Sequence, residues 1–349
     1  MRMLKERIYI GSSMVFELLA SMLRPECHEK MLPQDQRKFK YVPEALTKWV
    51  EQTRAKLPDA MKKELNVFFN FESFLGLSLV QIIWDNHCYE NIEDFFSFLE
   101  RYPAKDLVKA FFNTGYIPEK LLPSVDNPIA IKNFLGDSSL PEVEKWKLTY
   151  FCSAPEETKE RFIALIKNFY TDFFKEVMSS LQQYHRESIS YMENILKEAP
   201  YKQLDKLIKF DLNASGTNDE IILFPSYYYN IASLFSYLDE EKRLIYIYGT
   251  SQVEYEFTTD VAADKVLTAI KVLGDESRVK IIEILNNSPC YGYELSQKLG
   301  ISSSTISHHL SLLSDIGAIN PVREENKVYY QVNKDEIRKL IKYFEDMLT

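Results

Sequence analysis

The sequence predicts a mainly α protein in two parts. Residues 1–258 read as a large α-rich domain that closes on a small β element. Residues 262–349 read as short helices, a β-hairpin and a terminal helix. Three observations carry this. Apolar residues recur at helical spacing through most of the first 200 positions. Glycine is scarce, at 10 in 349 residues, while aromatics reach 13%. The period then switches to a strand-like one near residue 220 and back to short helical runs after 262.

The elements follow in order. Met14, Leu18, Leu19 and Met22 share one helical face, as do Ala45, Trp49 and Val50, and then Ile92, Phe95, Phe96 and Leu99. The Pro-rich stretch LLPSVDNPIAIKNFLGDSSLPEVEKW has little periodicity and separates two helical groups. From Pro155 to about Glu198 there is neither Pro nor Gly after the first residue. Phe162, Leu165, Ile166, Phe169, Phe173 and Phe174 mark one stripe on a single long helix there. EIILFPSYYYN and KRLIYIYGT are rich in β-branched and aromatic residues and predict two strands. IASLFSYLDEE, between them, reads as a short helix or turn, and VEYEFTTDVAADK as a polar link.

Composition bounds the function. Hydrophobic residues are 46%, charged residues 27%, and the net charge is −9. Such a surface does not grip nucleic acid or anionic lipid as a whole. Residues 262–349 hold 11 Lys and Arg against 12 Asp and Glu, a balance of −1, which leaves −8 in residues 1–261. The four cysteines (Cys27, Cys88, Cys152, Cys290) form no CxxC pair and read as reduced thiols of a cytoplasmic protein. The N-terminal stretch has Glu17 in its apolar part and no small-residue cleavage site, so it is not read as a secretion signal. The longest apolar run, FLGLSLVQIIW, is too short to span a bilayer, so no membrane partner is expected.

The C-terminal part carries the sharpest pattern. In ELSQKLGISSSTISHHLSLLSDIGAI, Leu295 and Leu299 end one short helix and Gly300 suits a left-handed turn. Ser302 suits the N-cap of the next helix. There Ile306, Leu310 and Leu313 lie at i, i+4 and i+7 and face inward, while Ser304, Ser307, His308 and Ser311 face out. His309 neighbours the aliphatic face and reads as packed. This is a helix-turn-helix, whose second helix enters the major groove. AINPVREENKVYYQVN then reads as a wing: Val328, Tyr330 and Val332 alternate with Tyr329 and Gln331, with Glu325-Asn326 at the turn. In DEIRKLIKYFEDML, Ile337, Leu340, Ile341, Phe344, Met347 and Leu348 form a stripe that either packs on its own domain or makes a dimer seam; the seam is preferred.

Residues 264–349 resemble the ArsR-type winged-helix repressors of bacteria. The match is carried by IKVLGDESRVKIIEIL (270–285), YELSQKLGISSSTISHHLSLLSDIGAI (293–319) and REENKVYYQV (323–332). It covers about a quarter of the chain. The resemblance implies a homodimer on palindromic operator DNA, with recognition-helix residues Ser303, Ser304, Thr305, Ser307 and His308. It further implies wing contacts from Arg323 and Lys327, with Tyr329 beside them. Lys271, Arg278, Lys280 and Lys298 are further cations available for phosphates. The family's thiolate metal ligands do not carry over: Cys290 stands one position before the first ligand position, which here is Tyr291. The terminal helix has no His. The closing pattern IILFPSYYYN…RLIYIYGT resembles the amino-terminal region fused to ArsR-type winged helices in some bacterial regulators.

Other candidates in the first part are weighed against ordinary packing. Cys27-His28 and His87-Cys88 invite a metal reading, but adjacent residues on a helix diverge by roughly 100° and chelate poorly, so neither a metal nor another cofactor is expected. Trp49, Trp84, Tyr89, Phe95, Phe96, Phe169, Phe173, Tyr227, Tyr228 and Tyr229 are many for a plain helical core. An aromatic-lined cavity would suit a hydrophobic small molecule or peptide as effector. No Gly-rich phosphate loop, paired-carboxylate motif or nucleophile elbow stands out, and Ser304 and His308 share a face that carries no carboxylate. The sequence thus points to a ligand-responsive DNA-binding regulator and away from an enzyme. Two alternatives stay open: a winged-helix module that contacts protein, and a regulator with an enzymatic N-terminal domain.

Overall fold

The computed structural model describes residues 1–5, 7–33, 36–114, 122–136, 138, 140–197, 200–208, 220–238, 242–258, 261–324 and 327–348. The chain forms two compact units: Met1–Lys197 with Asn218–Tyr255, and Glu198–Thr217 with Glu256–Thr349.

The first unit surrounds a five-stranded sheet. Its strands are β1 (Arg2–Lys5), β2 (Ile8–Ile10), β3 (Glu220–Ser226), β4 (Ser233–Leu238) and β5 (Arg243–Gly249), in the order β1-β2-β3-β5-β4. β2, β3 and β5 are parallel, and the outer strands are antiparallel to their neighbours. β3 and β5 are the two strands legible in the sequence; they are buried along nearly their whole length, as parallel strands usually are. The other three were not foreseen. IASLFSYLDEE, read as a helix or turn, supplies β4, whose register runs from Ser233↔Tyr248 to Leu238↔Arg243. Pairing with β5 outweighs its weak local preference. At the far end of β5, a side chain on Gly249 would meet Asn230 O at 2.1 Å and Ala232 O at 2.5 Å, so only glycine fits under that crossing.

The helices of this unit are α1 (Met14–Cys27), α2 (Glu44–Lys56), α3 (Asp59–Phe68), α4 (Val80–Asp85), α5 (Ile92–Arg101), α6 (Ala104–Ala110), α7 (Pro128–Gly136), α8 (Glu142–Ser153), α9 (Pro155–Phe169) and α10 (Met178–Ile195). Three differ from expectation. The Pro-rich stretch holds α7 and the start of α8, with Pro128 as the first residue of one and Pro141 as the N-cap of the other, where a missing N–H costs nothing. On α2, Leu46, Val50 and Thr53 are buried and Ala45 is exposed. The single long helix is interrupted by a π-turn at Tyr170–Phe174, where Lys175 N donates to Tyr170 O at 2.8 Å. Five residues of α-helix would rotate a side chain by roughly 140°. The π-turn removes that offset and lets Phe169 and Phe174 both enter the core.

The aromatic residues pack against one another. The rings of Phe111, Phe151 and Phe162 lie 5.0–5.7 Å from that of Phe68. Trp49 packs on Tyr228 at 4.5 Å, and Trp84 stacks on Tyr89 at 4.9 Å. All ten aromatics singled out in the sequence belong to this core or pack against it.

α1 is buried on every side, not on one face, and takes Glu17, Ser21 and Arg24 inside with it. Ser13 caps it, accepting from Phe16 N at 3.1 Å and donating to Tyr89 O at 2.7 Å. Glu17 Oε1 accepts from the backbone N–H groups of Tyr227 (2.9 Å) and Tyr228 (3.1 Å), just beyond β3. Its Oε2 lies 3.3 Å from His185 Nε2 on α10, off the hydrogen-bond axis, and both side chains are fully buried.

The second unit contains α11 (Pro200–Leu207). α12 (Thr250–Thr258) crosses from the first unit into it. It continues with α13 (Val261–Leu273), α14 (Glu276–Asn287), β6 (Cys290–Tyr291), α15 (Gly292–Leu299), α16 (Ser303–Asp315), β7 (Ile319–Glu324), β8 (Lys327–Val332) and α17 (Lys334–Leu348). The stretch read as a polar link is largely helical: α12 runs to Thr258 and α13 begins at Val261. Val253 and Tyr255 are buried, and packing compensates for the weak helix formers around them. Three strands join as β6-β8-β7; the two-residue β6 had no periodicity by which to find it. The core of this unit includes Ile281, Leu285, Leu295, Ile306, Leu310 and Leu313.

Replacing Glu17 by Ala leaves the backbone amides of Tyr227 and Tyr228 without their acceptor and removes the carboxylate that faces the buried His185 imidazole. It is expected to destabilise the first unit by about 3–5 kcal/mol. Glu17→Gln keeps a carbonyl for the amides and should cost about half as much. Urea unfolding of the full chain, followed through its tryptophans, measures the difference; equal stability of both variants with wild type rules out this role.

Candidate nucleic-acid interface

The site is built from the turn between α15 and α16. α15 ends at Gly300, whose φ of +67° places it in the left-handed region, and the N–H groups of Gly300 and Ile301 both donate to Ser296 O, at 2.9 and 3.3 Å. Ile301 is half-buried in the turn. Ser302 is extended and its Oγ accepts from Thr305 N at 3.1 Å, starting α16 as its spacing predicted. Ile306, Leu310 and Leu313 are buried and hold the helix to its unit. Gly317, at φ +74°, then releases the chain into β7.

That anchoring decides which side chains face outward. Ser304, Thr305, Ser307 and His308 are all exposed; the side chain of Ser303 lies outside the described residues. The hydroxyls divide into two groups. Ser302 Oγ lies 2.9 Å from Ser304 Oγ and 2.7 Å from Thr305 Oγ1, a knot at the helix start. Ser307 and His308, one turn further on, have no side-chain hydrogen bond among the described residues. The first group, beside the free N–H groups of a helix N-terminus, suits a phosphate oxygen. The second suits base edges, where Ser serves any base and imidazole can donate or accept.

His309, next in sequence, is buried beside this face. Burial holds its imidazole below the usual histidine range, which favours the neutral ring. Its packed placement is the one the sequence indicated.

The wing is the antiparallel pair β7–β8, with Arg323 opposite Val328 and Glu324 opposite Lys327. This puts Arg323 and Lys327 at the tip by their backbone. Their side chains, and the turn residues Glu325 and Asn326, lie outside the described residues. Tyr329 is half-buried, with its ring edge-on to Tyr291 at 5.8 Å. The alternation holds only near the core: Tyr330 and Val332 pack inward, whereas Val328 is exposed.

The further cations separate on inspection. Arg278 is engaged within its own unit: its Nε donates to Val272 O at 2.5 Å and ties α14 to the end of α13. Lys280 is paired with Glu276 at 2.6 Å, an exposed and readily exchanged contact. Lys298 Nζ sits 3.2 Å from Cys290 Sγ, while Lys271 is exposed. The sequence reading passed over Tyr293, which stands exposed at the start of α15 and stacks on Tyr291. The signal was present, as two tyrosines opening a helix on the side away from Leu295.

In the first unit, Cys27 donates to Phe69 O and Cys88 to Ile83 O, and burial pushes both thiols up to about 12. Among the described residues no three His, Cys, Asp or Glu side chains gather as a metal site, and no helix is long and apolar enough to cross a membrane.

A helix-turn-helix with a three-stranded wing, its second helix offering an exposed polar face, defines a winged helix-turn-helix of the DNA-reading class. Residues 275–320 match the family described as bacterial regulatory protein, arsR family. The transcriptional activator HlyU of Vibrio cholerae serotype O1 is 30% identical over 77 residues, which are 22% of this chain and 71% of that protein. An arsenical resistance operon repressor of Staphylococcus aureus is 32% identical over 66 residues, 19% of this chain and 64% of that protein. Among solved structures, an ArsR-like transcriptional regulator from Rhodococcus sp. RHA1 aligns with 24% of this chain and 80% of its own, at 22% identity and a TM-score of 0.24. The chain belongs to the arsR family of bacterial regulatory proteins. It is a DNA-binding transcriptional regulator whose family match lies in its C-terminal unit.

Losing the cap of α16 should cost stability without touching the core. Ser302→Ala is expected to lower the stability of the second unit by about 1 kcal/mol, and Ser302→Asp to leave it nearly unchanged. Thermal unfolding monitored by circular dichroism checks this; an unchanged midpoint for Ser302→Ala refutes the capping role.

Proposed function

We propose that the protein binds operator DNA as a homodimer through α16 and the β7–β8 wing, in the cytoplasm, and that its first unit senses a non-metal effector. The observation that carries the reading is the division of α16: aliphatic side chains locked into the core and a continuous polar face, Ser304 to His308, turned to solvent. The near-neutral charge of residues 262–349 fits a reader with few phosphate contacts and weak grip on random sequence. The apolar stripe of α17 supports the dimer. Leu340 packs inward, while Ile341 is 56% and Phe344 37% exposed. α17 contacts α13, where Leu267 and Ile270 are exposed too. A second copy is the partner such a self-complementary apolar face suits.

Gel-shift titration with the DNA upstream of the protein's own gene tests DNA binding and dimerisation together. The intact palindrome is expected to bind at least about 10³-fold tighter than random DNA and at least about tenfold tighter than either half. Ser304→Ala with Ser307→Ala should weaken the palindrome by about 10–100-fold and leave random DNA unchanged. Equal affinity of wild type for all three DNAs rejects the proposal and favours a module that contacts protein.

A second reading, an enzymatic first unit, is favoured by one geometry. Ser12 is exposed in the turn between β2 and α1, and its Oγ lies 2.9 Å from His185 Nδ1. The other ring nitrogen faces Glu17, whose position two backbone amides fix. A hydroxyl, an imidazole and an orienting carboxylate in series are the parts of an acyl-transfer site. Hydrolysis of p-nitrophenyl acetate decides: this reading expects a rate that falls at least about 10²-fold in Ser12→Ala, and identical rates for both proteins exclude it.

A further inference from the structure

Arg24 is an unexplained charge. It lies in the last turn of α1, its side chain is 0% exposed, and none of its three guanidinium nitrogens has a hydrogen-bond partner among the described residues. Arginine stays protonated in proteins, so this is a cation held in an apolar interior. A buried charge left without a partner is strongly destabilising. One water could occupy one N–H but supplies no counter-charge.

The acidic groups at this end of α1 are already engaged. Glu29 takes the fork of Arg54 at 2.5 and 2.8 Å, and Arg54 Nε donates to Pro25 O at 2.6 Å. Glu26 accepts from Asn66 at 3.2 Å. Glu17, seven residues back on the same face, is held by the Tyr227 and Tyr228 amides and faces His185. His28, in the turn after α1, is also buried, and its Nδ1 has no partner among the described residues. The Arg24 charge adds to burial in holding this imidazole down, at about 4, so the ring is neutral at physiological pH. Glu29 is taken up by Arg54, which leaves the Arg24 guanidinium without an ion-pair partner, with an unused imidazole nitrogen and the Tyr227 phenol within electrostatic reach.

We propose that the first unit binds a small molecule through an oxyanion, a carboxylate or phosphate group, accepted by the Arg24 fork with His28 Nδ1 as an additional polar contact. A planar guanidinium meets two oxygens of such a group at once, which a structural water does not reproduce. This deepens the effector reading of the first unit and rests on it only for the consequence at DNA.

The test is thermal unfolding of the full chain in sodium benzoate, in inorganic phosphate, and in sodium chloride at matched ionic strength. Wild type is expected to gain roughly 5–10 °C over chloride in at least one anion at 100 times its Kd, and which of the two does so identifies carboxylate or phosphate as the ligand group. Arg24→Met removes the unpaired charge, so it should be about 2–4 °C more stable than wild type in chloride and gain nothing from either anion. No gain in wild type, an equal gain in Arg24→Met, or a lower midpoint of Arg24→Met in chloride each overturns the proposal. Should Arg24→Met fail to fold, hydrogen exchange of the wild type decides: added anion slows exchange in the last turn of α1 and residues 28–31 if the site exists, and leaves it unchanged if it does not. Gel shifts in the same buffers separate the two readings. A stabilising anion that leaves operator affinity unchanged keeps the site and removes the sensing role.

Discussion

The first unit depends on one buried carboxylate. Glu17 enters the core on a helix buried all round, and its two oxygens face amides 210 and 211 residues away in sequence and an imidazole on α10. α1, the end of β3 and α10 are thus joined at one buried point. Apolar packing would tolerate small shifts among these elements; a carboxylate with two directed acceptor bonds does not. Arg24 lies on the same face without such provision, and the contrast between the two buried charges is what makes it conspicuous.

The second unit obeys a simpler constraint. Ile306, Leu310 and Leu313 fix the rotation of α16, and the cap at Ser302 fixes where it begins. With rotation and start both set, the direction of every polar residue on the helix follows. In the proposed interface no cationic side chain is needed on the helix: helix N–H groups and hydroxyls suit phosphates, and the backbone register puts Arg323 and Lys327 at the wing tip. The acidity of the chain is no obstacle, since most of it resides in residues 1–261.

Much of this was legible in sequence, and unevenly so. Gly300, Ser302, the aliphatic spacing and Gly317 act over a few residues each, so the reading helix and its exposed face could be placed before any fold was known. β3 and β5 were legible because a strand buried on both faces is apolar throughout. β4 was not, since an edge strand alternates weakly and takes its state from the neighbour it pairs with. The π-turn at Tyr170–Phe174 is a response to packing and has no local signature. Val328 kept its place in the alternation but not its burial, because burial depends on what packs over a strand and not on its pattern. Arg278 looked like a free side chain, but its Nε is bonded to the carbonyl of Val272.

Local chemistry in the sequence therefore determined the type of the second domain, the start and rotation of its reading helix, and the family to which the chain belongs. Caps, turns and helical periodicity are short-range, and a short-range signal survives in a linear text. Tertiary structure alone decided the strand order of the first sheet, the meeting of His185 with Glu17 and Ser12, and the isolation of Arg24. Those depend on contacts between residues up to 211 positions apart, where a side chain's partner is set by the path of the whole chain and not by its neighbours in sequence.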